Sequence, residues 1–504
     1  MAPLDEIHPP STTLESRFEF WRMRLGAILA PVVFAAIFFA NLEGLSPEAH
    51  RLAAIMGTVV VLWISEAIPM PVTALLGAAA CVVLRVAEPK AVFSPFADQL
   101  MFLFIGSFII ARAIFLHGLD RRVALGVMSL KWVGARPGRV LFAFGAVTAF
   151  ISAWISNTAT TAMMMAIGLS LVNFLYDARH GGVKIDPRFA TGMMLMTSFA
   201  ASIGGLATPI GTPPNVIGLG FINRSLGIEI TFFEWMLLGV PVVSVLYVFM
   251  FGYLHFFCPA GVKELPGSRE LITRQRNELG PWSQEQISTA IAFLTTVVLW
   301  IVPGVIALVV GEQHALYKLF KSSLPEGASA LIGASLLFIL PGKRGERAMD
   351  WSEATQIDWG VVLLYGGGFA LGELSNHTGL ATAIGTAMTH WLPVSGEFGL
   401  LAASTVVAAM ISEATSNTAS ANIIVPVVIA LANAAGVDPL QPALGATMGA
   451  SLGFMLPVST PCNAIVYGSG YVPLSRMIRY GLLLDVVGVI VVIGVVASLG
   501  SMLR

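Results

Sequence analysis

Apolar residues run in long stretches along this chain, and polar ones gather in short breaks between them. Stretches at about 24–41, 52–68, 72–88, 99–116, 232–257, 284–305, 327–341, 358–375 and 480–500 each read as one bilayer span, since about 20 apolar residues make a helix long enough to cross. Four further stretches are longer. Segments 139–176 and 399–435 are nearly twice a span. Segments 189–222 and 441–472, as unbroken helices rising about 1.5 Å per residue, would overrun a hydrocarbon core of about 30 Å. The pattern predicts helices throughout and, in the four long segments, interruptions.

The interruptions come in pairs. Ser156-Asn157-Thr158 sits inside the first long segment and Ser416-Asn417-Thr418 inside the second. Each segment is either two full crossings or a hairpin that enters and leaves by one face. Thr208–Asn215 reads TPIGTPPN and Leu456–Asn463 reads LPVSTPCN. Proline removes a backbone donor and clashes with the preceding turn, so these read as helices with an unwound centre. The rest of the chain repeats in the same order. Gly106 and Phe108 match Gly367 and Phe369, Asn157 matches Asn417, and Thr212, Pro213 and Asn215 match Thr460, Pro461 and Asn463. The stretch 68–78 resembles 324–334. Slowly drifting offsets describe a duplicated unit with insertions. Five crossings between the two tips, an odd number, turn the second copy upside down.

Charge gives the sidedness. Lys and Arg concentrate on the cytoplasmic side of membrane proteins. The first long segment is flanked by Arg136, Arg139, Arg179, Lys184 and Arg188, whereas the second, between LPVSGEF and GVDPLQ, has no basic residue at either end. An internal N-terminus and external C-terminus put most of the 28 basic residues inside. The expected architecture is an all-α polytopic protein of the cytoplasmic membrane, with about eleven transmembrane helices plus two re-entrant hairpins in an inverted repeat. Composition agrees: 56% hydrophobic and 11% charged residues, with mean hydropathy +0.81, against about 25% charged in soluble domains. No phosphate loop, dinucleotide fingerprint or metal-binding helix motif occurs, and Cys81, Cys258 and Cys462 lie far apart on apolar segments. The tips hold no nucleophile beside a general base. The reading is therefore neither an enzyme, nor an ATP-driven pump, nor a nucleic-acid binder.

Inverted repeats with broken helices are a recurrent plan of secondary transporters, which bind near the midplane. Non-helical backbone at membrane depth is tolerated only when buried in protein or lining a wet cavity. Carbonyls and hydroxyls there suit a small hard cation, and freed N–H groups at half-helix starts suit an anion. No Lys or Arg occurs in 140–178, 189–223 or 399–475, so an anion would need bound cations and dipoles as counter-charge. Arg112 and Glu373 occupy equivalent places, and Glu413 precedes the second tip.

The two Ser-Asn-Thr tripeptides, with GTPPN at 211–215 and STPCN at 459–463, resemble the divalent anion/sodium symporter family over nearly the whole chain. That resemblance implies a homodimeric elevator transporter of di- or tricarboxylates or sulfate, with two or more Na⁺ carried. One Na⁺ site would use Ser152, Ser156, Asn157 and the carbonyl of Gly211. The other would use Ser412, Thr415, Asn417 and the carbonyl of Ser459. Substrate carboxylates, clamped between the tips, would meet Asn157, Thr158, Thr212, Ser416, Asn417, Thr418, Thr460 and Pro461. The expected segments are a cytoplasmic N-terminus (1–23), first-repeat scaffold (24–136) and transport part (137–258), a cytoplasmic linker (259–282), and second-repeat scaffold (283–397) and transport part (398–504). The expected function is sodium-coupled symport of small dicarboxylates such as succinate, malate or fumarate. A dicarboxylate exchanger, a sulfate or citrate carrier and an anion channel are the alternatives.

Overall fold

A computed structural model describes residues 13–42, 44–176, 185–311, 313–391 and 396–503. Of the charge and loop markers used above, Arg179, Lys184 and residues 392–395 lie outside the described residues. Among those described, the chain is helical apart from one isolated bridge between Pro341 and Arg347.

The first half comprises α1 (Thr13–Phe39), α2 (Pro47–Ser65), α3 (Met70–Val83), α4 (Gln99–Leu116), α5 (Leu119–Met128), α6 (Pro137–Ser152), α7 (Asn157–Tyr176), α8 (Pro187–Gly204), α9 (Pro213–Leu226) and α10 (Phe232–Phe257). After α11 (Ser268–Glu278) come α12 (Gln284–Val310), α13 (Glu326–Leu336), α14 (Trp359–His377), α15 (Leu380–Trp391), α16 (Glu397–Ala414), α17 (Asn417–Ala434), α18 (Leu440–Gly449), α19 (Pro461–Tyr467) and α20 (Leu474–Leu499).

Local chemistry sets the boundaries. Ser46 accepts from Ala49 N ahead of Pro47, and reciprocal capping boxes open α10 (Thr231 with Glu234) and α12 (Ser283 with Gln286). Such caps satisfy amides that have no partner inside the helix. Between α4 and α5 the chain turns through Gly118 at φ 64°, and between α14 and α15 through the equivalent Gly379 at φ 80°. That left-handed conformation is one in which glycine meets no Cβ penalty.

The chain forms two compact units. One draws on Met1–Asp98, Ile217–Glu229 and Trp359–Ala450; in it α14 packs on α3, and a Cβ on Gly367 would lie 2.5 Å from the Ala74 Cβ. Its core gathers Leu52, Ile55, Trp63, Ala78 and Leu371. The other unit draws on Gln99–Val216, Ile230–Asp358 and Ser451–Arg504; in it α4 packs on α13, and a Cβ on Gly106 would lie 2.6 Å from the Ala330 backbone. Gly106 and Gly367 are repeat partners, and so are Ala330 and Ala74. The same glycine–alanine approach is thus made twice, each time between helices from opposite halves of the sequence. At the heart of the second unit every residue from Phe189 to Gly204 is buried.

Among the described residues ten helices are long and apolar enough to cross a membrane: α1, α2, α4, α7, α8, α10, α12, α16, α17 and α20. This is an integral membrane protein. The eleven crossings expected from sequence include 72–88 and 327–341. In the structure α3 and α13 have 14 and 11 residues, about 21 and 16 Å at the usual rise. Pro69 and Pro325 hold their starts, and α3 stops before Arg85, which has φ 55°. Apolar composition continues past the ends of these helices, and the backbone turns before it runs out.

Candidate functional site

Both Ser-Asn-Thr tripeptides fall at helix breaks. Residues 153–156 separate α6 from α7, and Thr415 and Ser416 separate α16 from α17. In each case Asn is the first helical residue, and a serine five positions earlier stands on the last turn of the preceding helix. Ser152 and Ser412 are fully buried, whereas Ser156 and Thr158 are exposed and Ser416, Asn417 and Thr418 half-buried. The tips therefore present a wet outer side and a dry inner one.

The dry side repeats atom for atom. Ser152 Oγ lies 2.6 Å from the Asn157 carboxamide and 2.7 Å from Ala201 O. Ser412 Oγ lies 2.8 Å from Asn417 Oδ1 and 2.7 Å from Ala450 O. A hydroxyl has one hydrogen and cannot donate to two acceptors, so each set holds more oxygen than hydrogen while the carboxamide oxygen faces inward. At the first tip the same carboxamide end also sits 3.1 Å from Gly211 O and 3.2 Å from Ala201 O. With NH₂ in that place its two hydrogens serve two of three acceptors within reach, Gly211 O, Ala201 O and Ser152 Oγ. With Oδ1 there, four neutral oxygens converge, a set that suits a cation. Close approach is required for this: a Cβ on Gly205 would lie 2.6 Å from Asn157 Oδ1.

The unwound stretches are held by their asparagines, also identically. Asn215 Nδ2 donates to Gly205 O (2.9 Å) and Thr208 O (2.8 Å). Asn463 Nδ2 donates to Gly453 O (3.0 Å) and Leu456 O (2.9 Å), residues at the same spacing. The carboxamide thus takes over carbonyls that lost their helix partners. Thr208 Oγ1 donates to Ala153 O and ties the first unwound stretch to the first tip. Thr212, Ser459 and Thr460 are buried, and Pro461 is exposed. Three expected ligands have local duties as well: Ser416 caps α17 through Ala419 N, Thr460 caps α19 through Asn463 N, and the Thr415 hydroxyl donates to Ile411 O.

The structure brings Ser152, Asn157 and Gly211 together, and Ser412 with Asn417. It adds the carbonyls of Ala201 and Ala450, which sequence reading missed. A signal existed: Ala201-Ser202-Ile203-Gly204 is matched by Ala450-Ser451-Leu452-Gly453, but a backbone acceptor is silent in a reading by side-chain chemistry. Asn422 is buried on α17 with Nδ2 on Thr418 O (3.0 Å), and its Oδ1 has no hydrogen-bond partner.

Arg112 and Glu373, equivalent in sequence, are used differently. Arg112 donates to Gln356. Glu373 pairs with Arg224, which also meets Asp98 at 2.7 Å and lies over the Phe369 ring. Glu413 is buried beside the second tip. No group of three or more His, Cys, Asp or Glu that could hold a metal ion occurs among the described residues.

Comparison with known proteins agrees with this geometry. The family described as "Sodium:sulfate symporter transmembrane region" matches residues 21–504. A sodium-dependent dicarboxylate transporter, SdcS, of Staphylococcus saprophyticus is 34% identical over 479 residues, covering 94% of this chain and 90% of that protein. The SdcS of Staphylococcus aureus strain RF122 is 34% identical over 481 residues with the same coverage. In fold alone, the chain is similar to the MtrF structure of Neisseria gonorrhoeae (TM-score 0.55, 14% identity, 95% of this chain and 96% of that one). It is similar also to the YdaH transporter of Alcanivorax borkumensis (TM-score 0.50, 13% identity, 95% and 97%). The relatives are transporters, not enzymes, and the chain belongs to the sodium:sulfate symporter family, the divalent anion/sodium symporters that its paired Ser-Asn-Thr motifs resemble.

Proposed function

We propose that this protein is a sodium-coupled symporter of small dicarboxylates of the succinate, malate and fumarate class. The observation that carries the reading is the twin oxygen cluster, in which a buried serine, an asparagine carboxamide and a helix-end carbonyl recur at both breaks. Neutral oxygens suit Na⁺, a hard monovalent cation, once Asn157 turns Oδ1 inward as Asn417 does, and two clusters suit at least two ions. Ser152, Ser156, Asn157 and Gly211 would serve one ion, and Ser412, Thr415, Asn417 and Ser459 the other. The dianion would be met by Asn157, Thr158, Thr212, Ser416, Asn417, Thr418, Thr460 and Pro461. The names of the relatives, sodium-dependent dicarboxylate transporters, support the substrate class.

Because 140–178, 189–223 and 399–475 contain no Lys or Arg, the ions supply the counter-charge. Ion and anion therefore strengthen each other's binding by roughly 1–3 kcal/mol, the usual range of coupling between sites. The doubled glycine–alanine contact supports an inverted repeat, and the reading includes re-entrant hairpins at the tips, a homodimer in the cytoplasmic membrane, an internal N-terminus and an external C-terminus. Transport proceeds by elevator motion of 137–258 and 398–504 against 24–136 and 283–397. This division is by motion, and it cuts across the compact units, which are defined by contact.

Uptake of labelled succinate into proteoliposomes, with and without an inward Na⁺ gradient, tests the proposal. Accumulation should require the gradient. Uptake indifferent to Na⁺ but accelerated by internal dicarboxylate would make the protein an exchanger. Uptake of sulfate or citrate in place of succinate would move the substrate class.

A further inference from the structure

Where α6 begins and α10 ends, the second unit carries an open cleft of about 870 Å³, within the usual size of ligand clefts. The two helix ends lie level, since a Cβ on Gly138 would come 2.7 Å from the His255 ring. As α10 spans the membrane, the cleft sits at a membrane–water boundary. Its walls differ in character. One is basic, with Arg136, Arg139 and Lys263, all exposed. The other is aromatic, with Trp132, Phe251 and Phe256, the last 78% exposed. No Asp or Glu lines the cleft. Arg139 is steadied by donating to Trp132 O at 3.0 Å, which turns the basic wall and the aromatic wall toward one volume. A smaller adjoining hollow shares Arg136 and Arg139 and carries Glu264, Glu270 and Arg269, so these two arginines also border carboxylates on that side, while the lining of the aromatic cleft itself carries basic residues and no acidic ones.

We propose that this cleft is a binding site for an anionic phospholipid, its phosphate diester held by Arg136, Arg139 and Lys263 and its glycerol and upper acyl segments lying along Trp132, Phe251 and Phe256. A free phosphate ester would use the basic wall and leave the aromatic one bare. A zwitterionic lipid would bring a second cation to a cleft whose own lining has no carboxylate. Basic pockets beside transmembrane helices bind acidic headgroups, each Lys or Arg near an anionic surface contributing about 1 kcal/mol, or about fivefold in affinity.

The test uses the full-length protein in neutral detergent, with quenching of tryptophan fluorescence by phosphatidylglycerol brominated on its acyl chains. Quenching absent from Trp132→Phe isolates the signal from the cleft. Brominated phosphatidylglycerol should quench that component at concentrations at least about tenfold below brominated phosphatidylcholine. Arg136→Gln with Lys263→Gln should weaken it by roughly 25-fold, from two fivefold steps, and Arg136→Lys should restore most of one step. That rescue separates lost charge from a damaged fold. Soluble glycerol phosphate should not compete. Equal quenching by the two lipids, or competition by glycerol phosphate at concentrations like those of the lipid, would overturn the assignment.

Discussion

Truncating the carboxamides that bridge the unwound stretches should destabilise the protein, and unequally in the two repeats. Asn463 is fully buried and uses its whole side chain. Its Nδ2 serves Gly453 O and Leu456 O, and its Oδ1 accepts from Ser198 Oγ at 2.6 Å. Asn215 is equally buried and serves Gly205 O and Thr208 O, but its Oδ1 has no partner. A buried polar group left unsatisfied costs about 1–3 kcal/mol, and a formed hydrogen bond is worth about 1. At membrane depth no water can substitute for the lost donor. Asn463→Ala strands two carbonyls and a hydroxyl, so a loss of about 3–5 kcal/mol is expected. Asn215→Ala strands two carbonyls while removing an acceptor that was already unpaired, so its loss should be smaller by about 1–2 kcal/mol. Unfolding in mixed micelles, by titration with a denaturing detergent and followed by circular dichroism, measures both against the parent. Variants within about 1 kcal/mol of the parent would mean that the carbonyls find other donors and the asparagines do not hold the breaks. A larger loss at Asn215 than at Asn463 would refute the count of partners.

Thr158→Val and Thr418→Val keep side-chain shape but delete a donor; each should weaken succinate binding about tenfold or more and Na⁺ binding less, as a hydrogen bond to a charged group is worth roughly 1.5–3 kcal/mol, with calorimetry across a Na⁺ series as the check. Asp120 on α5 is buried, accepts from Arg121 N at 2.7 Å through Oδ1 and has no partner at Oδ2; burial pushes its carboxyl up to about 6. Between about pH 4 and 6 the folded state keeps a proton that the unfolded state has released, so stability falls as pH rises through that window and the loss is complete above it. Asp120→Asn should flatten this slope and stabilise the protein at pH 7–8 by at most about 3 kcal/mol, since each tenfold change in proton affinity is worth about 1.4 kcal/mol; a slope equal to the parent's would clear Asp120 of that role. A cysteine at Ser395 should react with an impermeant reagent from outside and one at Gly182 only from inside, against a quiet background, since Cys81, Cys258 and Cys462 are buried; labelling of both from one face would remove the inversion.

Sequence alone determined the class of this protein and the position of its breaks. Membrane insertion follows from apolar content, and interruptions near Thr208–Asn215 and Leu456–Asn463 were legible from their proline clusters, although the helices restart at Pro213 and Pro461 and single prolines such as Pro241 and Pro426 lie inside helices. The sequence similarity between the halves was legible too, as at Gly106 and Gly367, both of which approach an alanine closely in the structure. Other features were decided only by the tertiary structure. The carbonyls of Ala201 and Ala450 come beside Ser152 and Ser412 through packing between segments distant in sequence, and a backbone acceptor leaves no mark in residue identity. Glu373 pairs with Arg224, 149 residues away, and not with its sequence equivalent Arg112, since ion pairs depend on which helix ends meet. The short α3 and α13 were overestimated because apolar composition records burial in protein or lipid alike, whereas helix length depends on where the backbone turns.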